Sequence, residues 1–405
     1  MTKSTPESSD YDVIVVGAFQ YPAGDASANR MLSLAQLASD GKRKALVVND
    51  RPALRSDINE GIGSYGGIDY ICVGARDGGR LSRLVNRWTR AARLRDVVRA
   101  ATANSKQRVV ITLPSGLFNV GAYLMLNRGL ACIVVVDVVE RHDPEQFGHG
   151  RLDPAFLRHR WTSWLASRLA DGCIVISTEL QRRFASECAT IRIPAVVNLN
   201  EFPNPSPSDG HGPLTLLYSG NPATKDQLGS LIDAVISIQE TGDHPIELRL
   251  AGPDAPALTA NADVGAVRVS RFGTAIKPLG RLTRSELRDE LREADFSVLF
   301  RPDRGYARAG FPTKVPESLA AGTPIFGNLS SDLSMYLVDG RNAIICASNP
   351  ETGEVDKSEL QRQLTELLRA DAEELFRMRL AARASAVHLS VSVWSPAFVY
   401  WVESL

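Results

Sequence analysis

The chain has 405 residues, of which 44% are hydrophobic and 23% charged, so it is a globular protein too long for one ordinary core. This composition excludes a disordered tail protein, a collagen-like repeat and a disulfide-stapled mini-domain. Lys and Arg together number 46, as do Asp and Glu, so net charge gives no support to a general nucleic-acid binder.

The cysteines and the N-terminus predict a soluble, intracellular protein. No two cysteines form a CxxC pair and each lies in or near an apolar stretch, which favours reduced, buried thiols over zinc ligands or disulfides. The opening MTKSTPESSDYD lacks the apolar region of a signal peptide. The most apolar run, ACIVVVDVV, is interrupted by Asp137 and is far shorter than the roughly 20 residues of a membrane span.

The first half alternates short β-branched runs with longer helical patterns. Continuous apolar runs of this length are typical of strands buried on both faces of a parallel sheet. Strands are predicted at 12–17, 45–49, 69–74, 108–113, 132–137 and 173–177. Helical stretches such as NRMLSLAQLASDGK, which ends near a glycine, supply the crossovers.

A Pro-, Ser- and Gly-rich stretch at 199–213 predicts a linker, after which the alternation restarts. Strands are predicted at 214–219, 246–251, 267–272, 295–300 and 324–328. The fold class is α/β, with two Rossmann-like, doubly wound parallel-sheet domains facing a cleft at the carboxyl ends of their strands. We assign 1–200 to the first domain, 201–390 to the second, and 391–405 to an aromatic final helix docking near their junction.

The stretch AGFPTKVPESLAAGTPIFGN, at 309–328, is the most informative. A loop at 310–312 leads into a helix near Thr313, with Pro316 in its first turn and Gly322 at its end. Exposed N–H groups at a helix start can bind an anion, and Glu317 is placed to accept two sugar hydroxyls. The plainer interpretation is an ordinary loop-to-helix connection in which Lys314 and Glu317 are solvated.

A second pattern, YSGNPATKDQLGSLIDAV, runs from a strand through Gly220 and a short loop to Lys225 and a helix. A lysine in such a loop can reach a phosphate at the domain cleft. The alternative is a solvated lysine, although a helix start favours anions over cations.

These segments, with LRLAGP, EADFSVLFRP and YLVDGRNA, together resemble the donor half of glycosyltransferase family 4. The resemblance covers roughly 214–343; in the first half, QYPAGDASANRMLSLAQLASDGKRKALVV is more distantly similar to the family's first strand, loop and helix. It implies a GT-B enzyme that transfers a sugar from a nucleotide donor with retention of anomeric configuration.

The resemblance implies that Lys225 holds the donor diphosphate and that Glu317 holds the ribose. Backbone N–H groups from Phe311 to Lys314 would face the leaving phosphate. The implied donor-binding residues are Gly220, Asn221, Lys225, Arg301, Gly310, Phe311, Pro312, Thr313, Lys314 and Glu317.

The sequence departs from the family at two positions. The family often has a Glu where Ala309 stands and an Arg where Asn221 stands. These departures put the donor-sugar contacts in doubt. Arg301, Arg304 or Arg308 are candidates to supply the missing positive charge.

In the first half, the strand CIVVVD leads into DVVERHDPEQF, where the family often places a histidine that touches the transferred sugar. Asp137, Glu140 and His142 compete for that role, with Glu140 our first choice and His142 our second. Spacing alone does not choose among them, and a solvent-facing loop histidine is an equal alternative for His142. The catalytic candidates are therefore Glu140, His142 and Lys225.

The resemblance also gives Gly24 and Asp25, on the first loop, a contact with the acceptor or a phosphate; the alternative is a plain turn. It implies front-face attack, in which the protein stabilises charge on the departing diphosphate and positions the acceptor hydroxyl. No catalytic metal and no permanent cofactor are expected, and a UDP- or GDP-sugar serves as co-substrate. The sequence shows no DxD motif or ligand-spaced cluster.

Residues 80–108 carry nine Lys or Arg and one acid. A basic amphipathic helix with a tryptophan suits an anionic membrane surface, so this segment predicts peripheral association, at the inner face of the cell membrane. The alternative is a crossover helix packed on the sheet with solvated arginines. Nucleic acid is not an expected partner, because no binding module accompanies the charge.

Together the sequence predicts a retaining glycosyltransferase that acts on a glycan or lipid-linked acceptor in cell-surface polysaccharide or glycoconjugate biosynthesis. Inverting transfer or nucleotide-sugar epimerisation is a second enzymatic interpretation. A sugar-nucleotide-binding or scaffold protein without turnover is the alternative from another class. A dinucleotide dehydrogenase is disfavoured, because GAFQYPAGDAS replaces the GxGxxG fingerprint.

Overall fold

Aliphatic and β-branched runs form two parallel sheets in the computed structural model, which describes residues 10–22, 26–52, 61–74, 92–112, 131–206, 212–222, 226–241, 245–349 and 352–405. The chain divides into a first compact unit, Met1–Val196 with Val391–Leu405, and a second, Val197–Ser390. Each unit holds one sheet.

The strands and helices are numbered along the chain. The strands are β1 Val13–Gly17, β2 Ala45–Asn49, β3 Ile62–Tyr65, β4 Ile68–Cys72, β5 Val109–Thr112, β6 Ile133–Val138, β7 Gly172–Val175, β8 Ala189–Arg192, β9 Leu214–Ser219, β10 Ile246–Ala251, β11 Ile276–Gly280, β12 Phe296–Leu299, β13 Ile325–Gly327 and β14 Ala343–Ile345. The helices are α1 Ala26–Asp40, α2 Pro154–Leu169, α3 Thr178–Phe184, α4 Gly229–Thr241, α5 Ala255–Ala260, α6 Gly265–Val269, α7 Arg284–Glu293, α8 Gly305–Ala309, α9 Lys314–Ala320, α10 Lys357–Leu367, α11 Ala372–Ser385 and α12 Val391–Glu403.

The first sheet has the order β3-β4-β2-β1-β5-β6-β7-β8 and is parallel except for the β3–β4 pair. Its central strand β1 is buried at every residue, and Val13 pairs with Ala45 on β2 and Val109 on β5. Such burial on both faces explains the unbroken apolar runs of the sequence.

Helix α12 completes the first unit although it follows the second unit in the chain. It packs against α1, and Phe398 is fully buried in the core that contains β1. The Ser395 hydroxyl donates a 2.8 Å hydrogen bond to the Leu37 carbonyl of α1. The aromatic segment after residue 390 is therefore a helix that lies in the core of the first unit.

The second sheet has the order β11-β10-β9-β12-β13-β14, with every pair parallel. A glycine with positive φ stands at the end of each of three neighbouring strands. Gly220 follows β9 with φ of 135°, Gly252 follows β10 with φ of 120°, and Gly280 is the last residue of β11 with φ of 65°. The Gly252 N–H donates to the Gly280 carbonyl at 2.7 Å. The carboxyl ends of these three neighbouring strands therefore carry glycines, which have no side chains.

The prediction of a strand at 267–272 is wrong, because the first residues of this range belong to helix α6. The edge strand of the sheet is β11, which follows later in the chain. Val264 and Phe272 are buried on one side, whereas Val267 is 76% exposed. Arg268 is held by a bidentate ion pair with Asp233 of α4, at 2.7 and 2.8 Å. Tertiary contacts thus outweigh the strand propensity of alternating valines.

The other predicted strands are confirmed within two residues of their ends, and β3, β8, β11 and β14 were missed. Of the basic segment, 80–91 lie outside the described residues. Residues 92–101 are helical and bury Leu94, Val98 and Ala101 in the core. Among the described residues, no helix is both long and apolar enough to cross a membrane.

Candidate functional site

Four polar side chains meet at the carboxyl ends of β9 and β12 in the second unit. The buried carboxylate of Asp226 accepts hydrogen bonds from the Tyr218 hydroxyl at 2.7 Å, Arg301 Nε at 2.8 Å and Lys314 Nζ at 3.0 Å. The Lys314 ammonium also lies 4.0 Å from the centroid of the Tyr218 ring. We call these four residues the Asp226 cluster.

Two cations and one carboxylate give the Asp226 cluster a formal charge of +1. Burial alone would raise the pKa of Asp226, but the charges of Lys314 and Arg301, with the Tyr218 hydrogen bond, lower it to about 2. Burial lowers the pKa of Lys314, and the carboxylate opposes that change. Burial and the neighbouring carboxylate raise the pKa of Tyr218, so it remains a hydrogen-bond donor at neutral pH.

The elements around the sheet edge fix these side chains. Arg301 follows β12, and its backbone N–H and carbonyl are held by the Asn328 amide at 2.8 and 2.6 Å. Lys314 is the first residue of α9. A Cβ atom at Gly220 would lie 3.8 Å from Lys314 Nζ, so the exposed Gly220 backbone borders the ammonium of Lys314, whose side chain is 11% exposed.

The loop before α9 has the predicted order of parts. Phe311 and Pro312 are buried, and the Phe311 ring makes an edge-to-face contact with Tyr336 at 5.8 Å. Thr313 makes no side-chain capping hydrogen bond, so its hydroxyl does not satisfy the first N–H groups of α9. Gly322, with φ of 76°, follows the end of the helix as predicted.

Glu317 lies one turn into α9, half-buried, in a different environment from Lys314. Burial raises its pKa; Arg284 and Arg288 of α7 lower it, and Glu201 raises it. Glu201 pairs with Arg284 at 3.1 Å and with Arg288 at 3.5 Å. Glu317 is therefore a carboxylate at the edge of a mixed-charge group rather than a fully solvated side chain.

Some predicted donor residues are brought together and others are not. Gly220, Arg301 and Lys314 share one site, whereas Glu317 lies in a separate group of charges. Asn221 is exposed, and Ala309, where the family often has a Glu, is buried. Lys225, Gly24 and Asp25 lie outside the described residues, so their proposed roles stay predictions. No group of three or more His, Cys, Asp or Glu side chains suited to a metal ion occurs in the part of the chain that the structure describes.

In the first unit, the environment of Asp137 disfavours a contact between its side chain and a sugar. Its buried carboxylate accepts from Arg30 Nε at 3.0 Å and Nη2 at 2.8 Å. The same guanidinium donates to the carbonyls of Ile193 and Pro194 at 3.0 and 2.6 Å. Asp137 thus neutralises a buried arginine that holds α1 to the chain after β8.

Glu140 and His142 line a cavity of about 310 Å³ beyond the end of β6. His142 Nε2 lies 3.5 Å from a Glu140 carboxylate oxygen, and the centroids of the His142 and His159 rings lie 4.1 Å apart with their planes tilted by 43°. Burial lowers the pKa of His159, followed by the effects of His142 and Arg158, so His159 is neutral at neutral pH. The two catalytic candidates of the first unit therefore share one cavity.

Sequence reasoning missed Tyr218, Asp226, Glu201 and His159. Asp226 directly follows Lys225 in the motif, but a carboxylate beside an expected phosphate site gave no signal of its own. Glu201 lies in the predicted linker, and His159 occupies an ordinary position on α2. Only the fold brings these residues to their partners.

The family model described as "Glycosyl transferases group 1" matches residues 213–369, which lie within the second unit. No curated protein matches the chain. Solved structures match nearly the whole of it. Anabaena HepE in complex with UDP and glucose is 16% identical, covers 98% of this chain and 100% of its own, and has a TM-score of 0.69.

Sucrose-phosphate synthase from Thermosynechococcus elongatus is 14% identical, covers 97% of this chain and 99% of its own, and has a TM-score of 0.68. A glycosyltransferase from Rickettsia africae is 10% identical, covers 98% of each chain, and has a TM-score of 0.63. The chain has the GT-B fold. The family match to the second unit supports a glycosyltransferase built on that fold.

Proposed function

We propose that this protein is a retaining glycosyltransferase of the family 4 type, which transfers a sugar from a UDP- or GDP-sugar to a glycan or lipid-linked acceptor. Such an activity belongs to the synthesis of a cell-surface polysaccharide or glycoconjugate. The observation that carries the proposal is the Asp226 cluster, whose positive charge stands beside the bare Gly220 backbone in the unit that matches the glycosyltransferase family.

In the proposed mechanism, Lys314 and Arg301 stabilise the negative charge that develops on the departing diphosphate. Asp226 keeps both cations in place while leaving a net positive charge, so the site is organised before the donor arrives. Lys225, next to Asp226 in the sequence, adds a further cation in this proposal. The acceptor hydroxyl then attacks from the face that the diphosphate leaves.

Glu317 is proposed to accept hydrogen bonds from the two ribose hydroxyls. Burial raises the pKa of Glu317 overall, and Arg284 and Arg288 oppose that change by favouring the ionised carboxylate that accepts hydrogen bonds. Glu140 and His142 are proposed to contact the transferred sugar from the first unit. The structures of HepE with UDP and with UDP-glucose show a nucleotide sugar bound by a protein of this fold.

A thermal-shift screen with UDP-, GDP-, ADP- and dTDP-sugars tests the donor site. A donor at a hundredfold excess over its dissociation constant stabilises the protein by about 2.7 kcal/mol. We expect one nucleotide class to raise the melting temperature and Glu317→Gln to abolish that shift. The matched control is Glu366→Gln, which changes a 55% exposed glutamate on α10 in the same unit. A folded protein that responds to none of the four nucleotides contradicts the proposal.

Turnover separates the enzyme from the alternative, a sugar-nucleotide-binding or scaffold protein. The alternative is favoured by Ala309, which is buried where the family often has a Glu. We expect slow donor hydrolysis without acceptor, and a product whose anomeric configuration, measured by NMR, matches that of the donor. Inversion would exclude the retaining assignment, and binding without hydrolysis or transfer would favour the alternative.

A further inference from the structure

Helix α2 of the first unit presents one face to the cavity that contains Glu140 and His142. Phe156, His159, Arg160 and Ser163, which line this cavity, follow one another at the spacing of one helical face. The cavity is of the size that suits a small polar group with part of its carrier. This face of α2 therefore forms one wall of the cavity.

A second face of α2 is apolar and exposed. Leu157, Trp161 and Trp164 are spaced by four and three residues and are 37%, 55% and 44% exposed. The two indole rings stand edge to face at 5.4 Å, and Arg168 lies 5.3 Å from the Trp164 ring. Leu152, in the turn before the helix, is 82% exposed. Exposed tryptophans next to arginines are typical of surfaces that meet the headgroup region of a membrane.

The cavity beside this face is positively charged. Arg141, Arg151, Arg160 and Arg183 line it, against two carboxylates, so its formal charge is +2 before the histidines are counted. Arg141 is engaged by Asp143 and Glu179 at 3.7 and 3.6 Å. Arg151, Arg160 and Arg183 are exposed and come from three separate elements around the cavity. Arginines converging on a small cavity suit a phosphate group.

We infer that the first unit binds a phosphate-bearing lipid at a membrane surface, with the phosphate in the cavity and the lipid entering past Trp161 and Trp164. The charge of the cavity fits a phosphate, and the adjoining apolar face fits the lipid that carries it. The inference deepens the proposed function and rests on it in one respect, since the lipid would be the acceptor. The residues that form this surface are not part of the basic segment at 80–108.

Binding to soluble probes tests the cavity. Calorimetric titration of the full chain is done with geranyl phosphate, geraniol and glucose 6-phosphate. We expect geranyl phosphate to bind, geraniol not to bind, and R160Q/R183Q to weaken geranyl phosphate about tenfold or more, because charge-assisted hydrogen bonds are lost. The control R158Q/R182Q removes the same charge from the same two helices outside the cavity and should retain wild-type affinity.

Binding to vesicles tests the exposed face. Vesicles of phosphatidylcholine are compared with vesicles that also contain phosphatidic acid, a phosphate monoester, or phosphatidylglycerol, a diester. We expect the strongest sedimentation with phosphatidic acid and loss of all vesicle binding in W161S/W164S, which should still bind soluble geranyl phosphate. Tyr400→Ser, which removes a 77% exposed aromatic ring from α12, is the matched control.

Three outcomes would overturn the inference. Equal affinity of the R160Q/R183Q variant for geranyl phosphate would show that the cavity holds no phosphate. Tighter binding of glucose 6-phosphate, without vesicle binding, would identify a free sugar phosphate instead. Unchanged sedimentation of W161S/W164S would remove the membrane role of α2. These measurements need no nucleotide sugar, so their failure is distinguishable from failure of the donor site.

Discussion

Asp226 shows how one unpredicted carboxylate organises the proposed donor site. Its side chain is 4% exposed and joins a lysine, an arginine and a tyrosine that come from separate parts of the chain. Removing one partner from a buried charge network leaves the others uncompensated, which commonly costs about 3–5 kcal/mol. The cluster therefore has a structural role in addition to the binding role proposed for it.

We predict that Asp226→Asn destabilises the second unit by about 3 kcal/mol at neutral pH, because Lys314 and Arg301 lose their counter-charge. The pKa of Asp226 is depressed to about 2 in the folded protein. Its contribution is therefore present above the unfolded pKa of about 3.9 and is lost as the pH falls through the folded pKa of about 2, amounting to about 2–3 kcal/mol.

Denaturant unfolding at a series of pH values measures this effect, with Asp289→Asn, at a 67% exposed carboxylate, as the control. The acid-dependent loss between pH values of about 4 and 2 should be smaller in Asp226→Asn than in the wild type. A variant as stable as the wild type at neutral pH would contradict a structural role for the cluster.

Cys188 is a second residue whose chemistry depends on its neighbour. The neighbouring Cys173 thiol lowers the pKa of the half-buried Cys188 thiol, burial opposes that change, and Thr190 acts in the same direction as Cys173. The neighbouring Cys188 and burial raise the pKa of Cys173. The five cysteines are free, as predicted, but Cys188 is less buried than expected.

We predict that iodoacetamide modifies Cys188 first, because it is the least buried of the five thiols and its lowered pKa raises the fraction of the reactive thiolate. Cys173→Ala removes this neighbour and should raise the apparent pKa of Cys188 toward the ordinary value of about 8.5. Mass spectrometry of peptides labelled over a range of pH gives both values. Modification of Cys188 only after unfolding would count against the prediction.

At the scale of elements, the glycines at the carboxyl edge of the second sheet allow backbones to approach closely. Gly252 has φ of 120°, and a Cβ atom there would lie 2.2 Å from the Gly220 carbonyl oxygen. A side chain is thus excluded both by backbone conformation and by space. Because Gly220 borders Lys314, the spacing of these loops sets the shape of the proposed donor site.

We predict that Gly252→Ala destabilises the second unit by about 2–4 kcal/mol, through backbone strain and overpacking. It should also weaken nucleotide binding, because relief of the clash moves the Gly220 loop. Gly212→Ala is the control, since nothing lies within 4 Å of a Cβ atom there. Thermal melting with and without nucleotide separates the two effects, and an unperturbed melting temperature in Gly252→Ala would refute the prediction.

The fold was largely predictable from the sequence because its parallel strands are buried on both faces and so consist of continuous apolar runs. Strand β1 and helix α1 are examples in which local pattern and tertiary environment agree. The error at 267–272 arose where alternating valines and arginines resemble an edge strand but α4 supplies the helix with a charge partner. Short strands such as β14, with three residues, carry too little pattern to be recognised.

The candidate site was predictable only where a residue lies in a continuous motif. Lys314 and Glu317 share one seven-residue helix, so the motif located both. Their environments differ, however, because Asp226 and Glu201 reach them from distant segments of the chain. Asp137 could not be separated from Glu140 and His142 for the same reason, since its partner Arg30 lies 107 residues away in sequence.

At the scale of the whole molecule, the first unit is built from two segments of chain that flank the second. Helix α12 contributes Phe398 to the first core and packs along α1. The helix packs so closely on the residue after α1 that a Cβ atom at Gly41 would lie 2.3 Å from a Val399 methyl carbon. The helix is thus an integral part of the first unit.

We predict that Phe398→Ala destabilises the first unit by about 3–5 kcal/mol, the usual cost of removing a buried aromatic ring. Hydrogen exchange should accelerate in β1 and β2, while β9 and β10 of the second unit keep their protection. Tyr400→Ala, which changes an exposed ring on the same helix, serves as the control. Equal loss of protection in both units would contradict independent cores.

The discontinuity of the first unit has a consequence for synthesis on the ribosome. The segment that carries β1 to β8 emerges first, but its core lacks Phe398 until the whole second unit has been translated. A domain made of contiguous sequence can fold as soon as it emerges, whereas this one must wait with part of its apolar surface uncovered. The first unit therefore completes its core only after the second unit has been translated. Until then its uncovered apolar surface is the surface that chaperones would need to shield.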